Sequence, residues 1–382
     1  MSFNDRVVEL RKLLSLAKHP VVFFDSDTDG TTSYLQLKRV FPNIEGVPIL
    51  DRGDKLKQVN YFKYVSKDHD LVLFIDIPFL NEEFLKLLMP RTILWADHHI
   101  LPERDILKKY NIRYLNPLDY DIKDNRPSSF LAYSIANSKA NLDLVSIGSL
   151  ADFFLLPVLK DWNEQNSEDF DSVFQLPVKT KKLLLEFLET YTFNDPKVKD
   201  KRSYWINEII YKYGLFQLRN IFDFVYKFDS EEKVNRALRI LEQLSVRELF
   251  EKIKLGKGFL FSDYAKFTLE YTKLLQTALA TVKDSKLVMY EYIGLRPYSK
   301  TLSEELCYRL KNWELIMIFF KNTNEDIWRG SLRSKSIHIP NLLTECLVGL
   351  EGEGGGHANA SGCRVKNKDF EEFKKRVTDK IN

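Results

Sequence analysis

The chain has 382 residues, 44% of them hydrophobic, which is enough apolar material for two or three globular domains. No stretch approaches the roughly 18 apolar residues of a membrane span and the charged N-terminal stretch is unlike a secretory signal, so we expect a cytoplasmic protein without a membrane partner. The net charge of +3 does not by itself indicate a polyanionic partner, and three cysteines without CxxC spacing argue against disulfides and a zinc site.

Three apolar runs are typical of buried parallel strands, and each is followed by a carboxylate. The carboxyl ends of parallel strands lie at one edge of a sheet, where α/β proteins bind ligands. The sequence therefore predicts an N-terminal parallel-sheet domain with one site at that edge. The runs and the acids that follow them are residues 21–24 with Asp25, residues 71–75 with Asp76, and residues 92–96 with Asp97.

The first run leads into a cluster of three acids, Asp25, Asp27 and Asp29, which ends at Gly30. Alternate residues of an extended chain share a face, so the three carboxylates can point the same way. A divalent cation would relieve their mutual repulsion in a cleft. The same pattern opens a calcium-binding EF-hand loop, but Gln36 stands where that loop needs a bidentate acid. Taken alone, the cluster fits either a metal site or a solvated acidic turn.

Two adjacent histidines, His98 and His99, follow Asp97 directly after the third run. Packing rarely explains two imidazoles beside a carboxylate, because each needs a polar partner when it is buried. Imidazole with carboxylates suits manganese better than magnesium or iron, and differs from the thiolate-rich sites of structural zinc. The number of carboxylates fits two divalent ions, which together can stabilise charge during displacement at phosphorus.

The rest of the chain predicts a helical connector and a smaller α/β domain. A helix from about residue 141 to 159 carries Asp152, and the residues after it predict amphipathic helices without a catalytic signature. Beyond them, strand-like stretches alternate with a helix, which indicates a second α/β domain. The predicted domains are residues 1–160 (parallel sheet), 161–280 (helical connector or insert) and 281–382 (second domain).

Taken in order, these motifs resemble those of the DHH phosphoesterase superfamily, close to the archaeal RecJ-like nucleases and the nanoRNase group. The resemblance covers nearly the whole chain. In the C-terminal part, a Gly-Gly-Gly-His stretch and an S-x-R-S strand resemble the family's associated substrate-binding domain. The matching segments are Asp25 to Gly30, Asp76, Asp97 to His99, Asp152, Ser331 to Ser334, and Gly354 to His357.

The resemblance implies roles for individual residues. The implied metal ligands are Asp25, Asp27, Asp29, Asp76, His98 and Asp152. Asp76 would bridge two ions, whereas Asp25 would be either a ligand or a carboxylate that supports the ligands. His99 would lie nearer the scissile phosphate, and with Asp97 it forms the catalytic set. The implied substrate-binding residues are Arg333, Ser334, Gly355, Gly356 and His357.

Two substrates stay open at this point. The first interpretation is an exonuclease that releases nucleotides from the ends of single-stranded DNA or RNA, and residues 25–33 favour it slightly because they resemble the RecJ-like first motif. The second is a phosphodiesterase for short oligonucleotides or for linear or cyclic dinucleotides. A third, an inactive scaffold of replication or repair, is disfavoured because every metal position holds a competent side chain. A replication or repair protein is a candidate partner of an active enzyme.

Overall fold

A computed structural model describes the chain over residues 1–50, 55–101, 104–122, 124, 126–152, 154, 158, 178, 179, 182, 214–228 and 230–381. The chain divides into two compact units, Met1–Ser262 and Asp263–Asn382. Each unit has its own five-stranded sheet. Among the described residues, none of the helices combines the length and the apolar character that crossing a lipid bilayer requires.

The first unit is built on a parallel sheet. Its strands are β1 (Pro20–Asp25), β2 (Glu45–Ile49), β3 (Leu71–Ile75), β4 (Thr92–Ala96) and β5 (Arg113–Leu115). They lie in the order β2-β1-β3-β4-β5, and all neighbours are parallel. The three central strands are almost wholly buried, as expected for apolar parallel strands that are covered on both faces.

The register of the central strands aligns their carboxyl ends. Phe24 of β1 lies beside Ile75 of β3, and Ile75 lies beside Ala96 of β4. Each of these residues is followed by an acid, so the sheet delivers three carboxylates to one edge. Those acids are Asp25, Asp76 and Asp97.

Helices of the first unit cover the sheet and extend beyond it. They are α1 (Phe3–Leu16), α2 (Thr28–Val40), α3 (Glu82–Leu88), α4 (Asp105–Lys109), α5 (Ser128–Ala136), α6 (Leu142–Ala151), α7 (Gly214–Val225), α8 (Glu231–Gln243), α9 (Val246–Leu255) and α10 (Phe259–Thr281), which continues into the second unit. Short 3-10 segments lie at Lys55–Tyr64, Pro117–Asp119 and Lys139–Asn141. Helix α2 packs against α5, α6 and α7.

Aromatic side chains form the core on one face of the parallel sheet. The ring of Phe23 lies 5.5 Å from the rings of Phe74 and Phe84, and all three are fully buried. Each such side chain contributes about 1.5–3 kcal/mol when it is removed from water. Trp95 is also buried, and its indole N–H donates to the carbonyl of Ile77 at 2.8 Å. This packing fixes β3 and the residues after it relative to β4.

The second unit combines a mixed sheet with helices of its own. Its strands are β6 (Leu287–Gly294), β7 (Leu315–Asn322), β8 (Ile327–Ser334), β9 (Gly352–His357) and β10 (Ala360–Lys366). The order is β6-β7-β8-β10-β9, with β6 parallel to β7 and the other pairs antiparallel. The helices are α11 (Ser299–Arg309), α12 (Ile339–Cys346) and α13 (Phe370–Ile381).

The predicted α/β class, with a parallel sheet, a helical region and a smaller second sheet, is confirmed. The sequence does not predict β2, where Gly46 and Pro48 disfavour a strand, although an edge strand tolerates proline. The helix predicted from about residue 141 to 159 is α6, which ends earlier, at Ala151, with Asp152 as its C-cap. The division into three domains stays a prediction, since most of residues 159–213 lie outside the described part of the chain.

Candidate metal centre

The first acidic cluster forms the junction between β1 and α2. Asp25 is the last residue of β1, and Asp27 is the N-cap of α2, where its side chain accepts a hydrogen bond from the Gly30 backbone N–H at 3.0 Å. A Cβ atom on Gly30 would lie 2.3 Å from the carbonyl oxygen of Asp25. Only glycine therefore allows the first turn of α2 to pack this closely against the end of β1.

Asp29 lies in that first turn and is buried, with 1% of its surface exposed. Its two carboxylate oxygens accept hydrogen bonds from the backbone N–H groups of Ser128, at 2.8 Å, and Ser129, at 2.9 Å. These donors belong to the first turn of α5, where a negative charge is favourable. Burial nevertheless raises the pKa of Asp29 well above its usual range, and repulsion from Asp76 and Asp152 raises it further.

Asp76 follows β3 in an unusual backbone conformation, with φ at +63°. This left-handed region costs energy for most residues, and aspartate is among those that tolerate it best. The Asp76 backbone N–H donates to the carbonyl of Ala96 at 3.1 Å, and its side chain accepts a hydrogen bond from the Ser128 hydroxyl at 3.0 Å. Only 2% of Asp76 is exposed, so its carboxylate is held inside the centre.

His98 connects the acids of two distant segments. Its Nε2 atom lies 3.3 Å from a carboxylate oxygen of Asp76 and 3.3 Å from one of Asp152. Burial alone would lower the pKa of His98, but the hydrogen bond to Asp76 and the charge of Asp152 raise it to about 10. Burial raises the pKa of Asp152 to about 6, against the attraction of His98. The centre thus binds protons tightly, which is the behaviour of a site with an excess of negative charge.

Asp97 acts on the neighbouring imidazole. It is completely buried, accepts the backbone N–H of His99 at 3.1 Å, and lies 2.9 Å from the Nδ1 atom of the same residue. Burial by itself would lower the pKa of His99, but the charge of Asp97 raises it to about 9. The His99 carbonyl also accepts a hydrogen bond from the Asn116 amide at 2.8 Å. These contacts fix the orientation of the His99 ring.

Three sets of three side chains overlap at this edge of the sheet, and within each set the ligand atoms lie within 4.8 Å of one another. Oxygen and imidazole atoms at this spacing fit a divalent cation of the manganese or magnesium type. Asp76 belongs to two of the sets, as does His98, so the sets form one continuous centre. The sets are Asp25 with Asp27 and Asp76, Asp29 with His98 and Asp152, and Asp76 with His98 and His99.

Comparisons with known proteins agree with this architecture. Residues 298–382 match the family model of the DHHA1 domain. RecJ from Thermus thermophilus in complex with Mn²⁺ has the same fold, with a TM-score of 0.63 and 16% identity over 99% of this chain and 54% of that one. A manganese-bound structure of exonuclease RecJ gives a TM-score of 0.60 and 16% identity over 100% of this chain and 94% of that one. Residues 298–382 thus carry a DHHA1 domain, and the chain as a whole has the fold of the RecJ structures.

A further solved structure shares this fold. CDC45 from Entamoeba histolytica gives a TM-score of 0.55 and 12% identity over 99% of this chain and 98% of that one. A comparison with curated protein sequences finds no match. The chain spans about half the length of the Thermus RecJ structure.

Arg333 of the DHHA1 domain is already paired within that domain. Its guanidinium lies 2.9 Å from a carboxylate oxygen of Glu304, and the two side chains are 16% and 9% exposed. The neighbouring Ser334 hydroxyl accepts the backbone N–H groups of Ser336, at 3.2 Å, and Ile337, at 2.7 Å. Both residues therefore have structural partners in addition to the substrate-binding role that the resemblance implies.

The glycine run of the DHHA1 domain forms edge strand β9, paired with β10. A Cβ atom on Gly355 would meet no other atom within 4 Å, so the backbone there is accessible. Gly356 has φ at +138°, and a Cβ atom on it would lie 2.8 Å from the carbonyl oxygen of Ala360. The side chain of His357 lies outside what the structure describes.

Sequence reasoning misses several residues that support the candidate metal centre. Ser128 and Ser129 hold Asp29 through backbone groups, and Asp223 of α7 hydrogen-bonds the loop that carries Asp27 and Asp29. The serines follow Pro127 at the start of a helix, a pattern that predicts a helix N-terminus but not its partner. Nothing in the sequence near Asp223 indicates its contact with this loop.

Proposed function

We propose that this chain is a metal-dependent phosphodiesterase that acts as an exonuclease on single-stranded DNA or RNA. The observation that carries the proposal is the continuous centre of acids and imidazoles at the carboxyl edge of the parallel sheet. Carboxylates this close together repel one another unless cations neutralise them. Displacement at phosphorus is a reaction that such cations promote.

Two manganese ions would be held by the candidate ligands, and magnesium is the second choice. Asp76 would be shared between the ions, since it belongs to two of the three sets. Asp25 joins Asp27 and Asp76 in one set, which supports a direct role for it in metal binding. Bound divalent ions would supply Lewis-acid activation of the phosphoryl group. The remaining ligands of the proposal are Asp27, Asp29, His98 and Asp152.

His99 and Asp97 would act on the substrate as a pair. Asp97 engages Nδ1 of the His99 ring, so Nε2 is the ring nitrogen that can donate to a phosphate oxygen or to the departing group. Asp97 is completely buried, which assigns it to orienting the ring rather than to contact with the substrate. This division refines the catalytic role that the sequence implies for both residues.

The likeness to exonuclease RecJ over the full length of this chain favours a nucleic-acid strand as the substrate. Arg333, Ser334 and the glycine strand with His357 would hold its phosphates, because backbone N–H groups and a guanidinium attract anions that carboxylates repel. A cytoplasmic location and a replication or repair partner are further parts of the proposal.

A test of the proposal measures hydrolysis by EDTA-treated protein with end-labelled DNA and RNA strands, from dinucleotides to long strands. We expect no turnover without metal, recovery with Mn²⁺, weaker recovery with Mg²⁺, and stepwise loss of nucleotides from one end of long strands. Hydrolysis restricted to the shortest substrates would assign the chain to oligonucleotides or dinucleotides instead. Full turnover in EDTA, or none with any metal, would overturn the proposal.

A further inference from the structure

Helix α7, predicted as part of a connector, lies against the N-terminus of α2, next to the acids of the metal centre. The carboxylate of Asp223 accepts two hydrogen bonds from Thr28, one from its backbone N–H at 3.2 Å and one from its hydroxyl at 2.8 Å. Thr28 is fully buried, and the Thr28 hydroxyl also lies 3.3 Å from the carbonyl oxygen of Arg219. The contacts join residues that are 195 positions apart in the sequence.

Thr28 stands between two candidate metal ligands, Asp27 and Asp29. It is the first residue of α2, and the first N–H groups of a helix have no partner inside that helix. Asp223 supplies the missing acceptor from another helix, at the end of α2 where a negative charge is favourable. The N-terminus of α2, with Asp27 as its N-cap and Asp29 in its first turn, is thus anchored at Thr28.

Two further contacts keep this anchor in place. The guanidinium of Arg219 lies 3.7 Å from the second carboxylate oxygen of Asp223, one turn away on α7. The hydroxyl of Tyr226, which follows α7, is hydrogen-bonded to that of Thr31, and the Thr31 hydroxyl donates to the carbonyl of Asp27. Both carboxylate oxygens of Asp223 therefore face protein groups, and Asp223 is not among the sets of candidate ligands.

We propose that Asp223 is a positioning residue for the metal centre, which makes α7 a part of that centre. The proposal rests on the metal-dependent function proposed above. Asp223 holds Thr28 so that Asp27 and Asp29 keep the spacing that metal binding needs. Partners that orient metal ligands in this way typically change metal affinity by about 10- to 100-fold when they are removed.

The test measures Mn²⁺ binding to EDTA-stripped protein by isothermal titration calorimetry, without any substrate. Asp223→Ala removes both hydrogen bonds and should raise the Mn²⁺ dissociation constant by about 10- to 100-fold. Asp223→Asn keeps an oxygen that can accept both bonds from Thr28 but weakens the contact with Arg219, so it should bind Mn²⁺ clearly more tightly than Asp223→Ala. Glu232→Ala, at an exposed carboxylate in the first turn of α8, is the matched control and should bind as wild type does.

A second variant covers the case in which Asp223→Ala does not fold. Thr28→Val preserves the shape of the side chain and removes the hydroxyl contacts with Asp223 and Arg219 but keeps the backbone N–H bond to Asp223, so a smaller weakening of Mn²⁺ binding is expected. Unchanged Mn²⁺ binding in Asp223→Ala, or in Thr28→Val where Asp223→Ala does not fold, would overturn the role of Asp223. Equal loss in Asp223→Ala and Asp223→Asn would also overturn it, because charge rather than position would then be decisive. A wild-type protein that binds no Mn²⁺ would instead overturn the metal centre itself.

Discussion

The acidic centre of the first unit and Arg333 of the second unit differ in how their charges are compensated. In the acidic centre, Asp76 and Asp152 share a single imidazole, that of His98, and Asp29 is held by backbone N–H groups. Arg333, in contrast, has the carboxylate of Glu304 beside it, and both side chains are largely buried. The first region therefore has an excess of negative charge that a bound cation would compensate, whereas the charge of Arg333 is already paired. Metal dependence should be absolute, and the contribution of Arg333 to anion binding should be partial.

The largest effect is expected at Asp76. Asp76→Asn keeps the left-handed backbone, which asparagine tolerates, but removes the charge that two of the ligand sets share. We expect Mn²⁺ binding and strand hydrolysis to fall by more than about 100-fold, beyond the usual effect of a partner that only orients a ligand. Calorimetry and single-turnover kinetics measure the two losses.

Two other carboxylate variants serve as comparisons for Asp76→Asn, one as a control and one as a weaker ligand. Asp68→Asn removes an exposed acid just before β3, at the opposite end of the strand, and should change neither quantity. Asp25→Asn should weaken binding less than Asp76→Asn, because Asp25 belongs to one set only. Equal and complete loss at both positions would show that Asp25 is as essential a ligand as Asp76.

The next effect concerns the buried pair of the DHHA1 domain. Arg333→Gln removes the cation that lies 2.9 Å from Glu304, and breaking a largely buried pair in this way costs on the order of 3 kcal/mol of unfolding free energy. Adding Glu304→Gln should restore most of that stability, because two neutral amides replace two charges. If Arg333 also binds a strand phosphate, the double variant should regain stability but not affinity. Urea unfolding and oligonucleotide binding would be measured on the same proteins.

A small activated ester tests whether Arg333 contributes to binding of the nucleic-acid strand. Bis-p-nitrophenyl phosphate has no neighbouring nucleotides, so the loss in kcat/KM of the double variant should be smaller on this ester than on an oligonucleotide. Recovery of strand affinity together with stability would mean that Arg333 serves the fold alone.

The smallest effect is expected at Gly355. The space around its missing Cβ is open, so Gly355→Ala should change the free energy of unfolding by no more than about 0.5 kcal/mol. If a phosphate approaches this backbone, the methyl group should reduce strand affinity by about fivefold, the value of one hydrogen bond. Gly354→Ala is the contrasting variant, because its Cβ would lie 2.8 Å from Leu343 and should affect stability first. Unchanged affinity in Gly355→Ala would exclude phosphate contact at this point of β9.

Strand ends are what the sequence predicts best in this molecule. An apolar run that stops at an acid is a local feature of the sequence. The parallel register of β1, β3 and β4 then places the three acids at the same edge of the sheet. The partners that hold these acids and their loop are not local. Asp29 meets Ser128 across 99 positions, and Asp223 meets Thr28 across 195, so no periodicity or motif reveals these contacts.

The second unit shows the same limit in another form. The glycine run predicts an accessible backbone, and Gly355 has one, but its position in an edge strand follows from pairing with β10 rather than from composition. Likewise, the pattern around Arg333 indicates a cation for the substrate and gives no sign of Glu304. Whether a charged side chain such as Arg333 can bind a ligand depends on the residues that pack beside it in the folded protein, which the local sequence does not show.

The fit of Gly30 against Asp25 bears on attempts to transplant this centre. Because a side chain at Gly30 would collide with the backbone of β1, the turn and the strand end behave as one rigid unit. A designer who copies only the acids onto another parallel sheet would obtain the right residues with the wrong spacing. The segment to transfer is the strand end, the turn and the first turn of the helix together, with the glycine retained.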